Sequence, residues 1–176
     1  MREELAKLIS SEEAQFLDAS FVRGRSGQRA KAQGVEEFTY PSEFSAPKMP
    51  SNLSLTDVDT KAFAPTPALP VAYECRKVGA TLEVDTVLSS GSQTVELTLN
   101  PELVVLDRME SHDAPDAPNS SPLRNVKMPV FHTISVNASV TVADGDYALI
   151  GMVPNPSVVG KLVLVLVKVD VVRDQG

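Results

Sequence analysis

The chain is short of the residues from which most enzyme sites are built. It has one cysteine, Cys75, which rules out an intramolecular disulfide framework and any multi-cysteine zinc site. Cys75 belongs to an alternation, Val71, Tyr73 and Cys75 against Ala72, Glu74 and Arg76, and reads as a small apolar strand residue rather than a reactive thiolate. Positive charge is also scarce, with 16 Lys and Arg against 23 Asp and Glu and a net charge of −7. Phosphate binding needs clustered cations, so this balance argues against a nucleic-acid partner. The one short basic run, Arg23, Arg25, Arg29 and Lys31, reads as a solvated strand edge. The longest strongly apolar run, residues 162–167, is too short to span a bilayer as a helix, so a membrane would have to be met by strands of a closed barrel. The sequence opens Met-Arg-Glu-Glu without an apolar stretch of signal-peptide length. The expectation is either a mature chain trimmed of its leader or a protein that stays inside the cell.

What remains is strand pattern. A chain of 176 residues fits one domain with a sizeable core. Residues 2–17 read as helix, with Leu5, Leu8, Ile9 and Phe16 near one face and a capping-box spacing between Ser10 and Glu13 that restarts the helix after a break. From Phe21 to Tyr40 two extended runs flank a turn at Arg25-Ser26-Gly27-Gln28. Residues 41–70 carry Pro41, Pro47, Pro50, Pro65, Pro67 and Pro70, which predicts a long loop that neither helix nor central strand can cross. Such a loop exceeds the usual connection length and is expected to be functional or flexible. Leu82, Val84, Thr86 and Leu88 then share one face, a Ser-Ser-Gly-Ser turn follows at 89–92, and Val95, Leu97 and Leu99 repeat the pattern, which predicts a hairpin with one wet face. A second polar loop covers 110–126. After it, Ile134, Val136, Ala138, Val140 and Val142 face one way and Ser, Thr and Asn the other, leading to a primed hairpin turn at Asp144-Gly145. The last strand, 161–172, is expected to start buried on both faces and end half exposed. The fold class is mainly β with a short helical prefix over 1–19.

Candidate chemistry is sparse. Ser111-His112-Asp113, with Asp116 nearby, holds the residue types of a hydrolase triad, but adjacent residues of one loop do not supply the separated partners a triad needs. Asp113, Asp116 and Asn119 offer oxygen ligands yet lack the glycine turn and distal glutamate of a calcium loop. His132 reads as a satisfied strand histidine. Glu36 and Glu37 are adjacent in a strand and point to opposite faces, so they do not share a substrate. Neither an enzyme, a metal nor a cofactor is expected.

Five segments in order resemble the C-terminal domain of the bacterial secretins, the ring-forming outer-membrane channels of type II and related secretion systems. Arg25-Ser26-Gly27-Gln28-Arg29-Ala30 is similar to an early "trsGq.A" strand, and Glu36-Glu37-Phe38-Thr39-Tyr40-Pro41 to the "reF.yP" of a subgroup with a proline-rich insertion. Pro65-Thr66-Pro67, Tyr73-Glu74 and Val78-Gly79-Ala80-Thr81-Leu82-Glu83-Val84 resemble the "vGvtLeV.P" strand. Thr94 to Leu99 with Pro101-Glu102 resembles its "idL.l.Pe" partner. Pro129-Val130-Phe131 and the stretch through Asp144-Gly145 to Gly151 resemble "PvFstr.v.tsv.v.dGqtvvlGGl". The resemblance covers residues 20–153. It departs where the family has a gate segment of the form VPxLGxxPxxGxLF, because here residues 152–160 alone bridge to the last strand, and where the expected Gly-Gly is Ile150-Gly151. The upstream ring-building modules of the family are not in this sequence.

The resemblance implies a secretin-like antiparallel β domain of long hairpins over 20–176, without catalytic activity. It implies a structural component related to multimeric protein-secretion channels, self-associating or meeting other secretion-system proteins, at the outer membrane or periplasm. The missing leader leaves a soluble or cytoplasmic form open. A second reading is a soluble protein-binding module that kept the fold and lost the pore, using the 41–70 and 110–126 loops. The family-motif positions singled out as structural are Gly27, Gly79, Phe131, Asp144, Gly145 and Gly151, with Phe131 expected as a core anchor.

Overall fold

The computed structural model describes residues 2–45, 68–91, 93–112 and 126–173. Among these residues a helix, α1 (Arg2–Ser10), precedes seven strands: β1 (Arg29–Phe44), β2 (Pro70–Leu88), β3 (Thr94–Ser111), β4 (Lys127–Ser135), β5 (Ala138–Ala143), β6 (Tyr147–Pro154) and β7 (Leu162–Lys168). The fold is mainly β with antiparallel sheets. One sheet has the order β1-β2-β3-β4 with β5 also paired to β3, and the other is the two-stranded β6-β7. These elements divide into two compact units, the first of Met1–Glu36, Val78–Val105 and His132–Gly176, the second of Glu37–Lys77 and Leu106–Phe131.

The core of the first unit follows from alternation plus register. In the β2-β3 hairpin Val84 sits opposite Leu99, Thr86 opposite Leu97 and Leu88 opposite Val95. On the other edge of β3, Leu99 meets Ala138, Leu97 meets Val140 and Val95 meets Val142. Period-two side chains in both registers therefore collect on one face. Val84, Val95, Leu97, Leu99 and Val142 are buried there, Leu99 to 2% exposure. The second sheet covers that face, with Ala148 and Ile150 of β6 and Val167 of β7 packed on the cluster. The opposite face is wet, as its sequence reads. Across it Arg29 makes a two-pronged hydrogen bond to Asp85, and Lys31 donates to Glu83 at 2.7 Å. The basic run is thus partly paired on an exposed strand surface.

Several expectations change. The helix stops at Ser10 instead of running to 17: the Ser10 hydroxyl turns back on the Lys7 carbonyl, Glu12 takes a left-handed φ of 60°, and the Ala14 N–H closes on Leu8 O. The capping box therefore does not restart it. Residues 21–25 are not strand, although the Gly27 turn docks on β2 through Gly27 N–H to Thr86 O at 2.7 Å. Strand β1 runs through Pro41 to Phe44, which an edge strand tolerates because a proline without an N–H can face away from β2, its one neighbour among the described residues. The loop expected over 41–70 thus gives its first residues to β1, its stretch 46–67 lies outside the described residues, and Ser45 N–H donates to Leu69 O at 2.8 Å. Val71, Tyr73 and Cys75 are exposed, so the apolar side of that alternation is not a core face.

The long alternating strand after the second loop is broken into β4 and β5 at residues 136–137. The break sits beside Pro101 of β3, whose carbonyl accepts the Val136 N–H at 3.2 Å but which has no N–H to return. Strand β7 opens with Leu162 and Leu164 exposed and Val163 buried, so it is one-sided where double burial is read from the sequence.

In the second unit, Phe38 and Tyr40 of β1 reach Phe131 of β4, with ring centroids 5.9 and 5.6 Å apart. Two strands separate β1 from β4, about 14 Å across a flat sheet. The strands are therefore curled over their aromatic side. Arg76 lies over the Phe131 ring at 5.1 Å, and Tyr40 donates to Glu74 at 3.1 Å.

Leu99→Ala removes the most buried side chain of the cluster and should cost about 2–5 kcal/mol, read as a lower midpoint in urea at unchanged slope. A cost below about 1 kcal/mol would show that β3 is not the centre of this core.

Candidate functional site

The residues singled out by motif are distributed through the fold rather than gathered around a cleft. Gly27 lies at φ +78° in the turn before β1, closed by Gln28 N–H to Arg25 O. Gly79 lies inside β2, not at a turn, with φ +129°. A Cβ there would stand 2.3 Å from the carbonyl oxygen of Gly34, so β1 and β2 approach too closely for any side chain. Phe131 is half-buried in the ring cluster of the second unit and is not among the buried core residues. Phe38, Tyr40 and Arg76 complete that cluster and were not singled out. Their signal, aromatic and cationic residues at alternate strand positions, is the same as for any half-buried strand.

Asp144-Gly145 does the most connecting. Only Gly145 has positive φ, +83°, and Asp146 N–H closes the turn on Ala143 O at 3.1 Å, so the turn is not the primed type. Nor is it a hairpin: β5 pairs with β3 and β6 with β7. The turn carries the chain from one sheet to the other. There it clasps two further segments. Asp144 N–H donates to Gln93 O at 2.9 Å, Gly145 N–H to Val169 O at 2.8 Å, and the Asp144 carboxylate accepts the Val171 N–H at 2.7 Å. Arg173 stands 3.6 Å from the same carboxylate.

Gly151 lies at a bulge. Leu149 pairs with Leu166 and Gly151 with Val165, which leaves Ile150 as the extra residue. Because of it, Ile150 and Gly151 are both partly buried, and a Cβ on Gly151 would come within 2.7 Å of Val136 Cγ2. The same bulge keeps Leu149 and Met152 on the outside. With Leu162 and Leu164 they form an apolar outer face on β6-β7, each 45–58% exposed.

The polar candidates do not assemble into a catalytic set. Ser111 ends β3 and His112 follows it, its N–H donating to Val126 O at 2.9 Å, while Asp113, Asp116 and Asn119 lie outside the described residues. His132 Nδ1 is 2.8 Å from the Ser157 hydroxyl, a bond that ties the connection between β6 and β7 to β4. Glu36 and Glu37 are both exposed. Among the described residues no cluster of three or more His, Cys, Asp and Glu is placed to hold a metal.

Electrostatics concentrate on the wet face. Hydrogen bonds from Lys31 and Arg29 hold the Glu83 and Asp85 carboxyls below their ordinary values, and Asp85 raises Arg29 in turn. Burial, then the hydrogen bond to Glu74, raises the Tyr40 hydroxyl. No family model, curated protein or solved structure matches the chain.

Two outcomes follow. Gly151→Ala should destabilise by about 1–3 kcal/mol through overpacking, and adding Val136→Ala should recover part of that loss, so that the double variant is more stable than the sum of the singles; strict additivity in urea melts would refute the contact. Because Glu83 and Asp85 titrate lower in the folded chain than unfolded, the stability they contribute is complete above the ordinary carboxylate range and is lost as pH falls through and below it. Asp85→Asn should therefore lower stability at pH 7 and flatten the acid limb of the melting curve, whereas an unchanged acid limb would show that the pair does not act.

Proposed function

We propose that this chain is a non-catalytic, secretin-like structural component related to the multimeric outer-membrane channels of protein secretion. The observation that carries the reading is the order of the matched segments along 20–153, together with the backbone demands at their glycines. Gly27 and Gly145 have positive φ, and Gly79 and Gly151 sit where a Cβ would collide. Each of these glycines falls inside one of the segments that resemble the family. The architecture suits assembly: among the described residues the β6-β7 sheet has two strands and β1 has one neighbour, and such edges are open to pairing with further chains. A barrel built from several chains uses up edges of this kind.

One observation favours the second reading, a binding module without a pore. Between β6 and β7 the chain turns tightly, with Asn155 N–H to Lys161 O and Lys161 N–H to Val158 O, so the place of the gate segment is taken by a short turn. The two readings separate by mass. Light scattering on the purified chain, with and without mild detergent, should give a ring-sized multimer in at least one condition. A monomer or dimer in both would contradict the channel-component reading and favour the soluble module.

A further inference from the structure

Strand β7 pairs with β6 as far as Lys168 opposite Tyr147, and the chain then leaves the ladder. Residues 169–173 are not strand, yet one side of them lies on the core. Val169 and Val171 are partly buried and pack on the cluster of Val84, Val95, Leu97, Leu99 and Val142, while Asp170, Val172 and Arg173 are exposed. This alternation presents an apolar side inward and a polar side to water. The stretch is fastened to the crossover turn between β5 and β6. Gly145 N–H donates to Val169 O at 2.8 Å, and Val169 N–H donates to Asp146 O at 3.2 Å. Val171 N–H goes to a side chain instead, the Asp144 carboxylate, at 2.7 Å, and Arg173 stands 3.6 Å from the other oxygen of that carboxylate.

These contacts converge on three consecutive residues, 144–146, whereas β3 is held along both of its edges. A stretch fastened at one point opens at lower free energy than a strand paired on both sides. Asp144 is built to hold it. The Asp144 N–H is bonded to Gln93 O at 2.9 Å, so its backbone is anchored to the β2-β3 turn while its carboxylate reaches the stretch after β7. A hydrogen bond to a charged acceptor is stronger than one between neutral groups, so this carboxylate is the strongest of the fastenings. We propose that residues 169–173 form a strap that opens and closes as one unit on an intact β3 core, with the Asp144 carboxylate as its latch. Closed, the strap covers part of the apolar cluster with Val169 and Val171. Open, it uncovers that part together with the Gly145 N–H, the Asp146 carbonyl and the Asp144 carboxylate. The device belongs to the single chain and does not depend on the assembly reading above.

The test is hydrogen exchange of the whole chain at increasing urea below its unfolding transition. In the native chain the Gly145, Val169 and Val171 N–H groups should exchange through one shared opening that depends little on urea. The Leu97 and Leu99 N–H groups should exchange more slowly and with the steep urea dependence of global unfolding. Asp144→Ala should then speed Gly145, Val169 and Val171 by a common factor of about ten or more, although Val171 alone loses its own acceptor. Asp144→Asn keeps an oxygen for the Val171 N–H and should give a smaller common factor. Acceleration of Val171 by itself would overturn the strap, because the contacts would then open independently. No acceleration of any of the three would overturn the latch. Exchange of all three in the native chain only with Leu97 and Leu99, at the same urea dependence, would show that the stretch is an inseparable part of the core and overturn the proposal. That last result is read without a variant, so it decides the matter even if Asp144→Ala does not fold.

Discussion

The structure depends most on the pairing of β3 on both of its edges. Val95, Leu97 and Leu99 point to one side, and the registers with β2 and β5 bring Val84 and Val142 to the same side. A slip of one residue on either edge would turn a neighbour's apolar set out to water. With the register fixed, the wet face also falls into place, because Asp85 and Glu83 then stand where Arg29 and Lys31 of β1 can reach them. The second sheet uses this face as well, since Ala148, Ile150 and Val167, themselves partly buried, pack against it.

The glycines mark where chains approach too closely for side chains. Gly79 lets β1 and β2 come together, Gly151 makes room for Val136 at the break between β4 and β5, and Gly145 lets the turn between sheets close. The clasp at Asp144 adds the stretch after β7 to the same corner, so the β2-β3 turn, the crossover and residues 169–173 are held at one point. Among the described residues the arrangement leaves apolar side chains exposed on the outside of β6-β7 and ahead of β1, and strand edges without a partner, which are the surfaces the proposed assembly would use.

Much of the fold is legible from local pattern. The alternation at 82–88 and 95–99 gives the β2-β3 hairpin and its core face directly, because a strand's period of two is a local property. Pairing partners are not local. Asp144-Gly145 marks a turn correctly, but whether the flanking strands pair with each other or with distant strands is decided by burial of Val142 and Ala148 against different neighbours. The break at 136–137 depends on Pro101, far away in sequence and adjacent only in the sheet. Residues 162–167 are apolar on both sides, yet nothing in that run tells that Leu162 and Leu164 would stay outside. The aromatic cluster of Phe38, Tyr40 and Phe131 was unreadable for the same reason, since it joins strands that are not neighbours in the sheet order.

The most direct test of the account is hydrogen exchange on the native chain at low and high concentration. If an inner β3 core supports an associating exterior, the amides of Val95, Leu97 and Leu99 should exchange slowly at both concentrations. Those of β1, β6 and β7, whose edges the proposed assembly would pair, should become markedly slower only at the higher one. Equal protection of β1, β6 and β7 at both concentrations would contradict it.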